Sequence, residues 1–394
     1  MTADTTAPPG ARRVVIALGT AQTLSWASSY YLPAILAAPM ARELGIPASW
    51  VFGAFSLALV LSALLGPAVG RAIDRRGGRP VLAISNLVLA GGLLLLAGAQ
   101  GTAMMVAGWV VLGIGMAMGL YDAAFATLAG LYGRAARGPI TGITLIAGFA
   151  STVGWPLSAV LEEAFGWRGA CLAWAGLHVL VGLPLNRLLV PPAPPPEKIA
   201  AAEAGPVVPA PRFAMPLLAF VFAATWTVTG AMAAHLPTLL QQAGTSTAGA
   251  VAAAALVGPA QVAARLLEFG LMRRFHPVVS ARLATLGHPL GAVALVTLGG
   301  VAAPAFTILH GMGNGILTIV KGTLPLAVFG PVGYGARTGL LSAPARFMQA
   351  LSPFFFGLLL ERASVEAAVA LTSALTLAAF VALMLLRAGG AVRR

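Results

Sequence analysis

The 394-residue chain is 59% hydrophobic and only 9% charged, with a mean hydropathy of +0.90 and a formal net charge of +13. Soluble domains are about 45–50% apolar and about 25% charged, so this composition excludes an ordinary soluble protein and indicates a membrane protein. The positive charge does not indicate nucleic-acid binding, because no soluble basic domain remains to provide it. The single cysteine, Cys171, excludes an intramolecular disulfide.

Long apolar runs recur from one end of the chain to the other. A helix needs about 20 mostly apolar residues to cross the hydrocarbon core of a bilayer. The sequence therefore predicts an all-α integral membrane protein with twelve transmembrane helices. The predicted spans 1 to 12 are 14–39, 49–70, 80–99, 103–131, 139–162, 169–190, 213–237, 248–271, 280–300, 303–328, 338–360 and 365–387.

Basic residues are distributed unevenly between the two ends of these spans. If the N-terminus is cytoplasmic, 18 of the 24 Lys and Arg residues lie in predicted cytoplasmic segments, and only Arg42, Arg168 and Arg362 lie in outer segments. An excess of positive charge marks the cytoplasmic loops of membrane proteins. We therefore expect a multi-pass protein of a bacterial inner (cytoplasmic) membrane with both termini in the cytoplasm.

A proline-rich stretch, PPAPPPEKIAAAEAGPVVPAP at 191–211, divides the spans six and six. The two halves also repeat one another, so that Gly113 and Gly115 correspond to Gly311 and Gly313. Two parallel six-helix repeats around a substrate site form a known transporter layout. The predicted domains are an N-terminal six-helix bundle at 1–190, a cytoplasmic Pro-rich linker at 191–212 and a C-terminal six-helix bundle at 213–394.

The stretch GRAIDRRGGRP at 70–80 places five charges between two apolar spans. It resembles the signature of the loop between helices 2 and 3 in the major facilitator superfamily. The matching residues, which the resemblance implies to be a gating motif, are Gly70, Asp74, Arg75, Gly77 and Arg79. Together with the six-plus-six layout, this resemblance implies two pseudo-symmetric six-helix bundles and a secondary transporter with no cofactor.

Other positions depart from patterns common in this family. Gly78 stands where a basic residue is common, and Trp109 stands where many members have arginine. Drug–proton antiporters usually have a Gly-Pro pair in helix 5, whereas this chain reads Gly154-Trp155-Pro156. The last two departures disfavour a standard multidrug exporter.

The arginines of the 70–80 stretch are explained by topology, but Asp74 is not. A carboxylate is favoured at the positive end of a helix dipole. We predict that Asp74 caps the N-terminus of a helix in the opposite half, span 11, while the cytoplasmic side is closed. Asp74 is then part of a latch rather than of a binding site.

Apart from charges in loops or at span ends, three basic residues and two acids lie within the predicted spans: Arg265, Lys321, Arg346, Asp122 and Glu268. A charge at mid-membrane costs about 2.5–3.5 kcal/mol even on the lenient insertion scale, so such residues face a cavity or a partner. Arginine presents forked donors to a carboxylate or another oxyanion, whereas lysine acts as a point charge. Arg265 and Arg346 also resemble paired cationic residues of helices 8 and 11 in oxalate–formate exchangers and related monocarboxylate carriers.

Polar side chains recur at helical spacing near these charges, and aromatic side chains could contact the rest of a substrate. The predicted substrate-binding residues are Arg265, Arg346, Lys321, Gln22, Trp26, Tyr30, Tyr31, Trp226, Gln261, His310, Asn314 and Gln349. Asp122 is the candidate proton carrier, with gate ion pairs to Lys321, Arg75 or Arg79 as the alternatives. Glu268 is expected to neutralise Arg265 or Arg273, and His178 and His288 are expected to be packing residues.

The sequence as a whole predicts a secondary active transporter that moves a small anionic solute, an organic acid or oxyanion, by proton coupling or exchange. The alternatives are an exporter of amphipathic drug-like compounds and a non-transporting membrane sensor. We expect no enzyme, since no nucleophile–base pair stands out, no metal site and no nucleic-acid partner. The expected partners are the substrate, protons and the lipid bilayer, and the expected state is a monomer.

Overall fold

The computed structural model describes residues 10–194 and 211–386, and within them it contains fifteen α-helices and no strands. The helices up to residue 194 are α1 (Ala11–Ala27), α2 (Pro33–Leu44), α3 (Ala48–Arg76), α4 (Gly78–Ala97), α5 (Thr102–Gly119), α6 (Tyr121–Tyr132), α7 (Arg137–Ala147) and α8 (Ala150–Leu177), which two π-helical turns extend to Leu189. The later helices are α9 (Ala214–Gln242), α10 (Thr247–Ala255), α11 (Val257–Gly270), α12 (Pro277–Leu298), α13 (Ala303–Phe329), α14 (Tyr334–Arg362) and α15 (Val365–Leu385).

Seven helical stretches of the described chain are long and apolar enough to cross a membrane. Two of them, Thr102–Leu189 and Pro277–Phe329, each contain several helices that follow one another along the chain. The fifteen helices together cover all twelve predicted spans. The all-α architecture expected from the hydropathy pattern is therefore present.

The chain divides into two compact units. Of the described residues, the first unit contains 10–194 together with Gly330–Leu340, and the second contains 211–329 and 341–386. The first turns of α14 thus belong with the first unit, which the predicted boundary at 213 did not anticipate. Most of the predicted linker, residues 195–210, lies outside the described part, so the linker stays a prediction.

Four predicted spans are each built from two helices rather than from one continuous helix. Span 1 is interrupted between Ala27 and Pro33, span 4 at Leu120, span 5 between Ala147 and Ala150, and span 8 at Leu256, whose backbone stays in the right-handed helical region. Pro33 is the first residue of α2, where its missing N–H costs nothing, but a proline inside a continuous helix would remove a hydrogen bond. At Leu120 the backbone is extended, with φ −87° and ψ −173°.

The repeat between the halves also appears in helix packing. A Cβ atom on Gly113 would lie 2.6 Å from a backbone oxygen of α3, and one on Gly311 would lie 3.0 Å from a backbone oxygen of α11. Two residues further along, Gly115 packs on α4 and Gly313 packs on α12. Glycine at these positions lets the helices approach closely, as small residues do in membrane proteins. The helix pairs correspond to each other within their own units.

One end of the first unit is held together by Arg168. Its guanidinium donates to the carboxylate of Glu43 at 2.8 Å and to the carbonyl oxygens of Ala97 and Ala99, each at 2.6 Å. The indole N–H of Trp167 donates to the other Glu43 oxygen at 2.6 Å. These hydrogen bonds, that of Arg168 first, lower the pKa of Glu43 below its ordinary value. The contacts join the C-terminal ends of α2 and α4 to α8.

Candidate functional site

The first unit brings three predicted binding residues into one aromatic cluster. The Trp26 ring lies 5.1 Å from that of Tyr30 and 6.1 Å from that of Tyr31, measured between centroids. Tyr121 adds a ring 5.0 Å from Trp26, and Trp155 adds one 5.8 Å from Tyr31. The break in span 1 positions Tyr30 and Tyr31, because both lie between α1 and α2. Tyr121 and Trp155 come from different spans, so their positions in the sequence do not indicate these contacts.

Gln22 is positioned by the break in span 4. Its side-chain amide donates to the carbonyl oxygen of Gly119 at 2.5 Å, and the residue is only 1% exposed. Gly119 ends α5, so its carbonyl lacks the intrahelical partner that an unbroken helix would give it. The other amide atom of Gln22, Oε1, and the indole Nε1 of Trp26 are buried and make no hydrogen bond to the described residues.

Among the described residues of the second unit, Arg265 is the charged side chain whose buried nitrogens lack hydrogen-bond partners. Its side chain is 5% exposed, and its Nη2 donates to the Oε1 of Gln261 at 3.3 Å. Its Nε and Nη1 are buried and make no hydrogen bond within the described residues. Glu268, three residues further along α11, accepts from the hydroxyl of Ser280 at 2.7 Å. Two of the predicted binding residues, Arg265 and Gln261, therefore form one hydrogen-bonded pair.

Two further pairs in the second unit join α9 to α13. The Lys321 ammonium lies 5.1 Å from the centre of the Trp226 ring, within the range of a cation–π contact. The Thr229 hydroxyl donates to the Oδ1 of Asn314 at 3.1 Å. Lys321 and Asn314 of α13 thus each have a neighbour on α9. Trp226 was predicted as a contact only because it is aromatic.

The two predicted residues of α14 lie in its second-unit part. Arg346 and Gln349 are both half-buried. A Cβ atom on Gly230 of α9 would lie 2.9 Å from the carbonyl oxygen of Gln349, so α9 and α14 cross closely there. The absence of a side chain at Gly230 therefore allows this approach.

His310 contacts a second histidine on a neighbouring helix. Its Nδ1 lies 3.1 Å from the Nδ1 of His288 on α12, and both imidazoles are buried. His178 in the first unit is also buried, between the hydroxyl of Ser28 at 2.7 Å and the Oδ1 of Asn86 at 2.9 Å. Both ring nitrogens of His178 therefore have partners. His288 was expected only to be a packing residue, and its pair with His310 was not predicted.

Asp122 lies in the first turn of α6, directly after the break at Leu120. The first turn of a helix suits a carboxylate because the backbone N–H groups there point toward it. Asp122 is half-buried and close enough to the phenol of Tyr334 to interact electrostatically with it. Lys321 belongs to the other unit, so the predicted gate pair between the two stays a prediction, as does proton carriage by Asp122.

The Asp74 carboxylate caps the N-terminus of α14, which is the contact expected from its sequence position. Its two oxygens accept from the backbone N–H groups of Gly335 and Ala336, each at 2.8 Å. All three residues lie in the first unit. The carboxylate thus satisfies two N–H groups that have no partner inside the helix. The helix is the one predicted, span 11.

Glycines allow the backbone of α3 to approach that of α14 beside this cap. Gly66 and Gly70 on α3 face Gly339 and Gly335 on α14, and each pair is spaced by four residues. A Cβ atom on Gly335 would lie 2.5 Å from the carbonyl oxygen of Gly70, and one on Gly339 would lie 2.5 Å from that of Gly66. Close crossing through two such glycine pairs is a known mode of helix packing in membranes.

The remaining motif residues explain how the chain turns from α3 into α4. Gly77 has a φ of +77°, in the left-handed region that favours glycine. Arg75 is exposed and Arg79 is half-buried. A Cβ atom on Gly78 would collide with the side chain of Thr127 on α6. This contact gives the physical reason for the departure from the common basic residue at position 78.

The described residues contain no group of three His, Cys, Asp or Glu side chains that could hold a metal ion. His235, whose spacing from Met232 is compatible with a soft-metal site, donates its Nε2–H to the carbonyl oxygen of Pro353 at 2.8 Å.

A family profile described as "Major Facilitator Superfamily" matches residues 18–320, which is more than half of the chain. The chain belongs to the major facilitator superfamily. It is therefore a multi-pass membrane protein of a family of secondary transporters, and the expectations for family and fold are confirmed. No curated protein sequence matches this superfamily member significantly.

Solved structures of other superfamily members have the same fold. The human organic anion transporter MFSD10 (TETRAN) is 18% identical, with a TM-score of 0.72 over 95% of this chain and 100% of that one. The proton:xylose symporter XylE is 12% identical, with a TM-score of 0.76 over 94% of each chain. FucP, solved in the outward conformation, is 12% identical, with a TM-score of 0.67 over 94% of this chain and 98% of that one. At these identities the likeness concerns the fold alone.

Proposed function

We propose that this superfamily member is a secondary active transporter of a small anionic solute, an organic acid or oxyanion. The observation that carries the proposal is Arg265, which is buried with two guanidinium nitrogens that no described residue satisfies. Leaving a buried donor unsatisfied costs about 1–3 kcal/mol, and more when the group is charged. Oxyanion groups that accept from Nε and from Nη1 would remove this cost, because hydrogen bonds between a guanidinium and an anion are charge-assisted and stronger than neutral ones.

Three features support the proposal. Arg346 and Lys321 supply further positive charge within the spans, as the sequence predicted. Gln22 and Trp26 in the first unit also carry buried polar atoms without a partner among the described residues, and both were predicted to bind substrate. MFSD10 is an organic anion transporter, which agrees with the proposal, although its likeness to this chain concerns the fold alone.

Transport would follow from alternating access, in which the two bundles rock around the substrate. Asp74 acts as a latch in this scheme, because its bonds to Gly335 and Ala336 exist in only one of the alternating states. Energy comes from a proton gradient or from exchange. The protein would work as a monomer in a bacterial inner membrane with both termini in the cytoplasm, as the charge bias of the loops indicates.

Uptake into proteoliposomes tests the proposal directly. Radiolabelled oxalate, formate, acetate, inorganic phosphate and sulfate serve as the probes, and uptake of at least one is expected. Arg265→Gln and Arg346→Gln should each reduce that uptake at least tenfold, which corresponds to about 1.4 kcal/mol of lost binding. Arg274→Gln is the matched control, because Arg274 is an exposed arginine after α11. Anion uptake that survives both substitutions would refute the proposal.

The aromatic cluster of the first unit favours a second function, export of amphipathic drug-like compounds. Trp26, Tyr30, Tyr31, Tyr121 and Trp155 form a connected surface of rings, and such rings suit apolar and cationic ligands. In that case Arg265→Gln would leave drug transport unchanged, whereas Trp26→Ala would reduce it. Counterflow of any probe would exclude a sensor that does not transport.

A further inference from the structure

The second unit contains a chain of hydrogen bonds that runs through two buried imidazoles. His310 Nδ1 lies 3.1 Å from His288 Nδ1, and His288 Nε2 lies 2.9 Å from the hydroxyl oxygen of Thr372 on α15. All three side chains are at most 5% exposed. The chain therefore joins α13, α12 and α15 in the interior of one unit.

The hydroxyl of Thr372 favours one direction of the hydrogen bonds. Its hydroxyl donates back to its own helix, to the carbonyl oxygen of Ala368 at 3.1 Å or to that of Val369 at 3.0 Å. This is the usual arrangement for a threonine within a helix. The hydroxyl oxygen is then the acceptor for His288, so the proton of the neutral His288 ring is on Nε2 and its Nδ1 is a bare acceptor.

The same reasoning fixes His310. Because His288 Nδ1 accepts, His310 must donate through Nδ1–H, which leaves the lone pair of His310 Nε2 available. No hydrogen bond to this nitrogen is present in the described part of the chain.

A small cavity adjoins the pair. Its volume is about 20 Å³, enough for a single water molecule. Its lining is mostly apolar, and its polar side chains are those of His288, His310, Thr225, Thr229, Asn314 and Thr376. The lining residues come from α9, α12, α13 and α15, all of the second unit. A water molecule held by these polar side chains could deliver a proton to His310.

Among the described residues, the only titratable groups that line this cavity are the two histidines themselves. Charged and titratable groups on the elements that pack against the pair are distant from it or make other contacts. Arg282 of α12 donates to carbonyl oxygens near the end of α15, and Glu366 of α15 is exposed. Lys321 is eleven residues after His310, about 16 Å along α13. The remaining groups, Arg265, Glu268 and His235, contact Gln261, Ser280 and Pro353 respectively.

We propose that the His288–His310 pair is a proton-binding site and that Nε2 of His310 is the atom that binds the proton. A hydronium ion gives its proton to the Nε2 lone pair: one O–H bond breaks as the N–H bond forms, and a water molecule is left. The reverse step transfers the proton from Nε2 back to water. The positive charge is supported without rearrangement, because His310 already donates to His288 and His288 to Thr372. Such chains of hydrogen bonds polarise one another cooperatively.

The consequence for transport rests on the proposed function. His310, Asn314 and Lys321 lie on one side of α13 at spacings of four and seven residues, and all three are predicted to bind substrate. A proton on His310 therefore adds positive charge to this side of the helix. An anion and a proton would then favour each other's binding, which by linkage is reciprocal. This couples anion movement to proton movement through histidine rather than through Asp122.

Nitrogen NMR of the full-length protein labelled with ¹⁵N-histidine tests the site without any substrate. The chain has five histidines, and the hydrogen bonds place a neutral Nδ1–H on two of them, His310 and His178. His310→Gln should remove one Nδ1–H signal and the matched control His178→Gln should remove the other. When the pH is lowered from about 8 to about 4, across the ordinary histidine range, the His310 ring should become doubly protonated while the His178 ring stays neutral.

Two results would overturn the proposal. One is that His310→Gln removes an Nε2–H signal instead, because the hydrogen-bond chain would then run in the opposite direction. The other is that the His310 signal does not titrate over that range. Thr372→Val adds an independent check, since removal of the acceptor for His288 should change the tautomer of the pair without removing either ring.

A measurement of proton uptake on anion binding separates this inference from the proposed function. Oxalate and formate are added to unbuffered purified protein, and uptake of protons from the medium is expected in the wild type and not in His310→Gln. If neither anion binds, the proposed function fails while the NMR titration can still support the proton site. If the anions bind with equal proton uptake in His310→Gln, the coupling through His310 is wrong.

Discussion

The bond between Asp74 and α14 predicts a measurable shift in a conformational equilibrium. Asp74 accepts two backbone hydrogen bonds of 2.8 Å at a helix N-terminus. Removing a capping side chain costs about 0.5–2 kcal/mol, and the interaction of the carboxylate with the helix dipole is part of that amount. Asp74→Asn keeps one acceptor oxygen and loses the charge. We expect the latched state to lose about 1 kcal/mol, a change of about fivefold in its population relative to the released state.

Distances between spin labels can report this population in lipid nanodiscs. The labels are attached through Arg76→Cys and Val332→Cys, two exposed positions near the ends of the contact, in a Cys171→Ala background. The ratio of the short-distance to the long-distance population should fall about fivefold in Asp74→Asn and further in Asp74→Ala. Transport of a substrate should become slower while its affinity changes little, because Asp74 does not belong to the proposed binding residues.

The control for this experiment is Arg71→Gln. Arg71 is exposed and lies less than one turn before Asp74 on α3, so this substitution changes the charge of the same segment by one unit without touching the cap. The two variants should therefore differ in their distance distributions. Equal distributions for wild type and Asp74→Asn, or loss of substrate binding with an unchanged maximal rate, would refute the reasoning.

Three further predictions follow from contacts in the first unit. Gly335→Val should shift the same label distances toward the released state, because its Cβ would lie 2.5 Å from a backbone oxygen of α3; an unshifted distribution would contradict the close crossing. Gly78→Lys, which restores the common basic residue, should lower the melting temperature, and Thr127→Gly in the same chain should recover part of the loss because it removes the clashing side chain. Arg168→Gln should lower the free energy of unfolding by about 1–3 kcal/mol, because it leaves two carbonyl oxygens unsatisfied. It should also make the melting temperature less sensitive to acid. The pKa of Glu43 is lowered in the folded state, so its contribution to stability is present above the unfolded pKa of about 4.3 and is lost as the pH falls through the folded pKa. Equal acid sensitivity of the wild type and Arg168→Gln would argue against this.

Hydropathy and charge were sufficient to predict the class of fold, because the membrane requires long apolar helices and a biased distribution of arginine. The Asp74 cap was also predictable, since a carboxylate in a basic loop needs a physical reason and a helix dipole supplies one. Breaks in the spans were not predictable from hydropathy. Leu120 and Leu256 are both apolar, so hydropathy does not mark them as helix ends, and at Leu120 it is the extended backbone that shows the end of a helix.

Contacts between spans explain most of what sequence analysis missed. The periodicity of one helix groups His310 with Asn314, but it contains no information about His288 on another helix. In the same way, the collision that excludes a side chain at Gly78 comes from Thr127, which is 49 positions away in the sequence. Side chains that meet across helices can be predicted only when the packing of those helices is known.

The claim that this transporter binds an anion through Arg265 is tested most directly by thermal unfolding with a panel of ligands. Wild type, Arg265→Gln and Arg274→Gln are each melted with oxalate, formate, phosphate, organic cations and neutral amphipathic compounds. A ligand present at 100 times its Kd should stabilise the folded state by about 2.7 kcal/mol. We predict stabilisation of the wild type and of Arg274→Gln by at least one anion, and none of Arg265→Gln. Stabilisation by cations or neutral compounds alone, unchanged in Arg265→Gln, would contradict the account.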